Sequence, residues 1–207
     1  MRQIQKAKLY IYLFYLSVFI LLLTYNIFTR SLWVIDAFIG LFVITIFFYY
    51  SKKLNLGAVS IFFLGLSFLL HSLGTFDTYN ILILFFGYDK IVHFVASLTG
   101  VMIVAKIVYS KLMQKGEIKL SLNKHMLILV AIVSFILLIG VLNEFFEFIG
   151  FTYFGAPWPG MFSPMDLQNT ILDNYYIDTI HDLFIDIVGA GVGAIGVFFF
   201  SGMIKTK

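Results

Sequence analysis

The fold is decided by the stretch 178–196, "DTIHDLFIDIVGAGVGAIG", in which three carboxylates precede four glycines, three of which are spaced as the acids are. Both sets recur at intervals of three or four residues, and residues so spaced lie on one face of an α-helix. Small residues on such a face let a second helix approach closely. We therefore expect one helix that packs tightly against a neighbour and holds a stripe of acids. The acids are Asp178, Asp182 and Asp186, and the glycines are Gly189, Gly193 and Gly196.

The rest of the chain has the composition of an integral membrane protein. Of 207 residues, 61% are hydrophobic and 12% are charged, and the mean hydropathy is +0.98. An ordinary soluble domain is about a quarter charged. The absence of cysteine excludes disulfides and thiolate metal sites. The basic residues are scattered at segment ends, which argues against a nucleic-acid partner.

Hydrophobic runs near 20 residues, the length that crosses about 30 Å of hydrocarbon, indicate an all-α bundle of six transmembrane helices. We expect one transmembrane domain over 1–207. The first run is too long for a signal-peptide core and lacks a small-residue cleavage site, so we expect it to be retained. The apolar stretch 80–86 is too short to span and is expected at the interface or as a re-entrant segment. The expected spans are 8–28, 32–50, 56–74, 88–109, 125–150 and 177–204.

Charge asymmetry orients this bundle. In a six-span arrangement only Arg30 and Lys90 of the 14 basic residues fall on one side. Cytoplasmic loops carry the excess of Lys and Arg, so both termini are expected in the cytoplasm, in a multi-pass protein of the plasma (inner) membrane. All acids but Glu117 fall toward the outer side. The basic residues expected inside are Arg2, Lys6, Lys8, Lys52, Lys53, Lys106, Lys111, Lys115, Lys119, Lys124, Lys205 and Lys207.

The connection 151–176 is expected to be an ordered external loop. It contains no Lys or Arg, and it holds all three prolines of the chain together with Trp158. Aromatic side chains of this kind favour the membrane interface, and prolines favour turns.

With helix directions assigned, four different spans bring ionisable side chains to one outward-facing polar cluster. Charges at membrane depth cost several kcal/mol unless they face the interior and are paired, so they are functional candidates. Asp178 is expected instead to cap its helix, and Asp36 and Asp77 are expected to be solvated helix ends. The converging residues are His71 from the third span, Asp89 and His93 from the fourth, Glu144 and Glu147 from the fifth, and Asp182 and Asp186 from the sixth.

The carboxylates of this cluster outnumber its cations, since Lys90 is the one nearby lysine. Protonated acids, a water-filled vestibule or a bound metal would each relieve the excess charge. Mixed imidazole and carboxylate ligands suit zinc, iron or manganese, and helix bundles build two-metal carboxylate sites in this way. The predicted ligands are Asp89, His93, Glu144, Glu147 and Asp182, with His71 and Asp186 close by.

Four blocks of the sequence, "LLHSLGTFDTY", "GYDKIVHF", "NEFFEF" and "DTIHDLFIDIVGA", resemble in order those of the YjdF-like family of uncharacterised bacterial inner-membrane proteins. Some blocks also resemble VanZ-like proteins, which share an Asp-Lys-x-x-His helix start and an Asp-rich and Gly-rich final helix. The resemblance covers roughly residues 60–200 and implies a membrane bundle without assigning an activity. The positions of this sequence that match the polar, aromatic and glycine positions of these blocks are His71, Gly74, Tyr88, Asp89, His93, Glu144, Glu147, Asp178 and Asp182.

Three functions remain open at this point. The first is an enzyme or binding protein that uses a metal in the membrane. It would bind or act on a lipid-linked or envelope molecule, and the connection 151–176 would serve as its lid. The second is an accessory or structural subunit that docks other membrane-protein subunits. The third is cation or proton transport, to which carboxylate and His chains are suited. The apolar inner half of the chain and the lack of inverted repeats argue against the third.

Overall fold

A computed structural model describes residues 2–76, 78–80, 82–83, 86–114, 121–149 and 172–202. Five of its helices are long and apolar enough to cross a membrane, and Val34–Tyr50 is a shorter apolar helix of 17 residues. The chain is thus a multi-pass membrane protein built of helices. They are α1 (Arg2–Thr29), α2 (Val34–Tyr50), α3 (Ala58–Ser72), α4 (Tyr88–Gln114), α5 (Leu122–Ile149) and α6 (Leu172–Gly202).

The helices pack as two groups of three. Within each group, α1–α3 and α4–α6, every helix contacts the other two, and α3 against α4 joins the groups. Tyr15, Phe19 and Ile44 are fully buried in the first group. Val101 and Ala190 are fully buried in the second. The acidic residues of α4, α5 and α6 therefore belong to one compact group of helices.

The close approach predicted for the glycines of α6 is confirmed for two of them. A Cβ at Gly189 would stand within clashing distance of the backbone carbonyl of Phe94, and one at Gly193 would meet the carbonyl of Leu98 at 3.0 Å. At Gly196 no atom of the described part of the chain comes within 4 Å of that position. Helix α4 is the partner, so its polar side chains lie directly against the acidic stripe of α6.

One local expectation needs correction here. Helix α6 begins at Leu172, five residues before the predicted span, so Asp178 lies in its second turn and does not cap it. The segment before α4 contains short 3-10 turns and an antiparallel hairpin that pairs Leu82–Ile83 with Phe86–Gly87. The loop predicted over 151–176 lies outside the described residues except for 172–176, which are helical, and Asp77 also lies outside them.

The two ends of the bundle differ in charge. We call the acidic end the one at which α1, α3 and α5 end and α2, α4 and α6 begin, and the opposite one the basic end. At the acidic end, Asn26 of α1 donates to the Thr75 hydroxyl at 3.2 Å. At the basic end, the Lys8 ammonium is buried and donates to the backbone oxygen of Leu56 at 3.3 Å. Every polar group discussed next lies at or near the acidic end.

Candidate functional site

Lys90, in the first turn of α4, lies among three carboxylates. Its Nζ donates to Asp178 Oδ1 at 2.5 Å and to Asp182 Oδ1 at 2.7 Å, both on α6. Asp89 Oδ2, on α4, accepts from the same ammonium at 3.3 Å. The lysine therefore holds the starts of α4 and α6 together, and it neutralises one of the charges gathered there.

One turn further along α4, the His93 imidazole faces a ring of carboxylates from three helices. Its Nε2 lies 3.7 Å from Asp89 Oδ1, 3.8 Å from Glu144 Oε1 and 3.9 Å from Asp182 Oδ1. All three distances are too long for hydrogen bonds. His93 and two of these carboxylates, Glu144 and Asp182, are buried. The ring is therefore an assembly of potential ligands around one nitrogen.

These separations fit a shared cation. Two donors about 2.1 Å from one ion stand about 3.4 Å apart in a tetrahedron and about 4.2 Å apart at most. Two groups in the described part of the chain have such donors within 4.8 Å of one another. A side-chain shift of less than about 1 Å would bring either group to coordination distance. The groups are Asp89, His93 and Asp182, and His93, Glu144 and Glu147.

The other nitrogen of His93 faces a different carboxylate. Its Nδ1 lies 3.4 Å from Asp186 Oδ1, and the Ser97 hydroxyl donates to that same oxygen at 2.5 Å. Gly140 of α5 leaves the space that the Asp186 carboxylate fills, because a Cβ there would clash with Oδ2. A carboxylate on the second ring nitrogen is how proteins orient metal-binding histidines.

Glu147 is also held in place on its own helix. The Asn143 side-chain amide, one turn earlier on α5, donates to Glu147 Oε1 at 2.8 Å. The other carboxylate oxygen is not used by this bond, so the amide fixes the orientation of Glu147 without removing its ability to bind a cation.

His71 is set apart from the other predicted ligands, although it lines the same cavity. Its Nε2 lies 2.9 Å from Asp36 Oδ1 of α2, and its Nδ1 lies 2.8 Å from the Tyr79 hydroxyl. The Trp33 ring packs edge-on against it at 5.6 Å between ring centroids. Both ring nitrogens thus have hydrogen-bond partners. Asp36 is buried in this pair, which corrects the expectation that it is a solvated helix end.

Tyr79, between the third and fourth helices, connects the His71 pair to the carboxylate ring. Burial, together with the negative charges of Asp89 and Glu147, raises the pKa of Tyr79 well above its ordinary value of 10.0. The phenol consequently stays protonated and donates to His71 Nδ1. With Nδ1 accepting from the phenol, Nε2 of His71 is the nitrogen that donates to Asp36.

A cavity of about 480 Å³ begins at the carboxylate ring and runs along α4. Asp89, His93 and Glu147 line its acidic end. Deeper along α4 its wall includes Gly100 and Val104 and is apolar. The ring is therefore the polar head of a long pocket and not an isolated surface feature.

The structure brings together six of the seven predicted ligands, namely His93 and the five carboxylates around it, and it places the seventh, His71, in the pair with Asp36. The sequence contained a signal for Lys90, which directly follows Asp89, but it gave no reason to expect bonds to both α6 carboxylates. Ser97 and Asn143 carry helical spacing from predicted ligands and could have been found by that spacing. The partners that sequence reasoning missed are Asp36, Tyr79, Ser97 and Asn143, and Asp178 as a partner of Lys90.

Comparison with known proteins identifies a family but no activity. A family model described as "Predicted membrane protein (DUF2238)" matches residues 7–202. The match fits the YjdF-like resemblance and gives no support to the similarity with VanZ-like proteins. No curated protein and no solved structure matches.

Proposed function

The chain belongs to this family of predicted membrane proteins, and we propose that it binds a divalent metal at the acidic end, in the outer leaflet of the plasma membrane. The bound metal serves to bind, or to act on, a lipid-linked or cell-envelope molecule. Zinc, iron and manganese are the metals that suit the mixed imidazole and carboxylate donors.

The orientation follows from the charge at the two ends. With Val34–Tyr50 as a short sixth span, both termini lie in the cytoplasm and the carboxylate ring faces outward. Helix α2 has 17 residues and is therefore about 25 Å long, which is at the lower limit for crossing the hydrocarbon. Arg30 and Lys90 are the described basic residues at the acidic end, whereas the basic end carries Lys6, Lys8, Lys52, Lys53, Lys106, Lys111 and Lys124.

The observation that carries the metal proposal is the separation of 3.7–3.9 Å between His93 Nε2 and three carboxylates. The imidazole and the carboxylates are too far apart to hydrogen-bond to each other, and their separations fit donors that share one cation. Each carboxylate comes from a different helix of the second group, so a bound ion would link α4, α5 and α6.

The surrounding residues have separate tasks in this proposal. Asp186 orients the imidazole through Nδ1, Ser97 and Asn143 hold carboxylates in position, and Lys90 limits the excess charge. A metal in such a site would supply Lewis acidity or lower the pKa of a bound water. The chain itself supplies a preorganised set of donors at the head of an apolar pocket.

Transport has less support than binding. The cavity is polar at the carboxylate ring but apolar further along, where Phe47, Ile103 and Val104 line it. Within the described ranges, no carboxylate or histidine continues the cluster along the cavity toward the basic end. A relay of protons or cations needs such groups at intervals. An accessory role in a larger complex stays a prediction.

The test is metal content after detergent purification and dialysis against Zn²⁺, Fe²⁺ or Mn²⁺, measured by elemental analysis. We expect one or two ions per wild-type chain, and at least a tenfold lower occupancy in Glu147→Gln and in Asp182→Asn. His125→Gln is the matched control, because His125 pairs with Tyr109 at the basic end. It should keep the full metal content.

Two further results would decide against the proposal. One is a metal-free wild type whose thermal unfolding does not respond to added metal or to chelator. The other is full occupancy in both carboxylate variants. Size-exclusion profiles matching the wild type show that a loss of metal is not a loss of fold.

A further inference from the structure

The pocket below the carboxylate ring has the shape of a lipid-binding groove. It follows α4 from Asp89 to Val104, a distance of about 22 Å along the helix axis. Half the hydrocarbon core is about 15 Å thick. A hydrocarbon chain whose head lies at the ring would therefore have a predominantly apolar wall along its path through one leaflet.

The groove lies between α3 and α5. Both of these helices pack against α4, but among the described residues they do not form an extended contact with each other. Leu64 and Phe68 line it from α3, and Phe135, Ile136 and Ile139 line it from α5. In a membrane this opening faces lipid, so a molecule can enter sideways without crossing water.

The charge at the head of the groove selects against anionic heads. If all are ionised, six carboxylates face Lys90 and one divalent ion, which leaves an excess of three negative charges. No arginine lies among the described residues of the cluster to form a bidentate phosphate contact. A negative head placed next to an uncompensated carboxylate would be repelled by it. The six are Asp89, Glu144, Glu147, Asp178, Asp182 and Asp186.

We infer that this groove binds a single-chain membrane amphiphile whose head carries hydrogen-bond donors, as an amine or hydroxyls, and no net negative charge. The hydrocarbon chain lies along α4 between α3 and α5, and the head donates to the carboxylates around His93. This inference rests on the proposed function, because it names the class of molecule that the metal site would receive.

The test uses two photoactivatable probes of equal chain length, a long-chain amine and the corresponding fatty acid, each with a diazirine midway along the chain. Purified protein in mixed micelles is irradiated with either probe, and the labelled peptides are identified by mass spectrometry. We expect the amine to label the α4 and α5 walls at least fivefold more than the acid does. An excess of unlabelled amine should prevent this labelling.

The decisive variant is Ile139→Trp, which fills the groove from α5. Its matched control is Leu138→Trp, because Leu138 adjoins it, is similarly exposed (54% against 47%) and does not line the groove. We expect Ile139→Trp to lose at least five-sixths of the labelling and Leu138→Trp to keep it. Equal labelling by the two probes, or unchanged labelling of Ile139→Trp, would overturn the inference.

Metal content measured on the same samples separates the two proposals. Ile139→Trp should keep its metal, since it alters the apolar wall and not the ring. Metal binding without selective labelling would support the metal site and refute the binding of an amphiphile in the groove. Selective labelling of a chain that binds no metal would refute the metal site and leave the amphiphile as the ligand of the carboxylates alone.

Discussion

Two histidines at the same end of the bundle show what separates a structural pair from a candidate binding site. His71 has a partner on each ring nitrogen at 2.8–2.9 Å, and aromatic rings pack around it. His93 has four carboxylate oxygens around it at 3.4–3.9 Å. The first is complete within the chain. The second is surrounded by several potential ligands for a cation, all farther from the imidazole than the partners of His71 are from theirs.

The two histidines differ in the number of carboxylates around them relative to the nearby cations and hydrogen-bond donors. Asp36 faces one imidazole that donates to it, and Tyr79 completes the pair from the other side. Around His93 the acids exceed the cations, so a further cation lowers the energy of the group. Negative charges gathered in excess of the nearby positive charge are costly, and a protein that holds such carboxylates near one another gains the ability to bind metal.

Removing the lysine should have the largest effect. Lys90→Met leaves Asp178 and Asp182 without the ammonium that binds both, and breaking a buried ion pair from one side costs about 3–5 kcal/mol. We expect a loss of that size in unfolding free energy, followed in detergent by tryptophan fluorescence or denaturant titration. Added Mn²⁺ should restore part of it.

Lys52→Met is the control for this experiment. Lys52 is exposed at the basic end, and such a substitution changes stability by about 0.5 kcal/mol or less. If Lys90→Met were as stable as this control, the carboxylates would not depend on the ammonium. The contrast between the two histidines would then need another explanation.

The next largest effect tests how His93 is held. Asp186→Asn keeps the side-chain volume but removes the charge that faces Nδ1, and loss of such an orienting carboxylate lowers metal affinity about 10–100-fold. Titration with Zn²⁺ monitored by calorimetry measures the change. The stoichiometry should not change, because Asp186 belongs to neither candidate ligand group.

Asp36→Asn makes the matching change at the other histidine. It alters the carboxylate on His71 and leaves the ring around His93 in place, so the metal affinity should stay within about threefold of wild type. Equal losses in Asp186→Asn and Asp36→Asn would show that the two histidines act as one site, against the comparison made above.

The sequence predicted the cluster because helix direction alone determines which end a residue occupies. Once the spans were assigned, Glu144 and Glu147 at the end of one helix had to lie at the same depth as Asp89 and His93 at the start of another. The spacing of the α6 glycines also predicted the tight contact with a neighbour. These inferences need only the rise of a helix and its length.

Which helices are neighbours, and in which rotation, did not follow from the sequence. The pairing of Asp36 with His71 depends on α2 packing against α3, and neither apolar periodicity nor charge identifies that partner. The misplaced cap at Asp178 has a local cause. The polar residues before 177 resemble a loop, yet the helix extends back to Leu172.

The smallest effect concerns His71, whose two ring nitrogens are paired with Asp36 and Tyr79. Tyr79→Phe removes the hydrogen bond to His71 Nδ1 and should cost about 1 kcal/mol of unfolding free energy without changing metal content. Its pH dependence provides a second signature. Because the pKa of Tyr79 is raised in the folded state, the unfolded chain loses this proton first, near pH 10.0. The wild type should therefore lose stability above that pH more steeply than Tyr79→Phe does.

Tyr10→Phe is the control for this last prediction, since Tyr10 is an exposed tyrosine of α1 and its replacement should change the unfolding free energy by about 0.5 kcal/mol or less. If Tyr79 were not held protonated against His71, the wild type and Tyr79→Phe would lose stability equally steeply above pH 10.0. A fall in metal content on Tyr79→Phe would contradict the comparison from the other direction. It would mean that the position of Tyr79 couples the His71–Asp36 pair to the carboxylate ring. His71 would then contribute to metal binding through Tyr79.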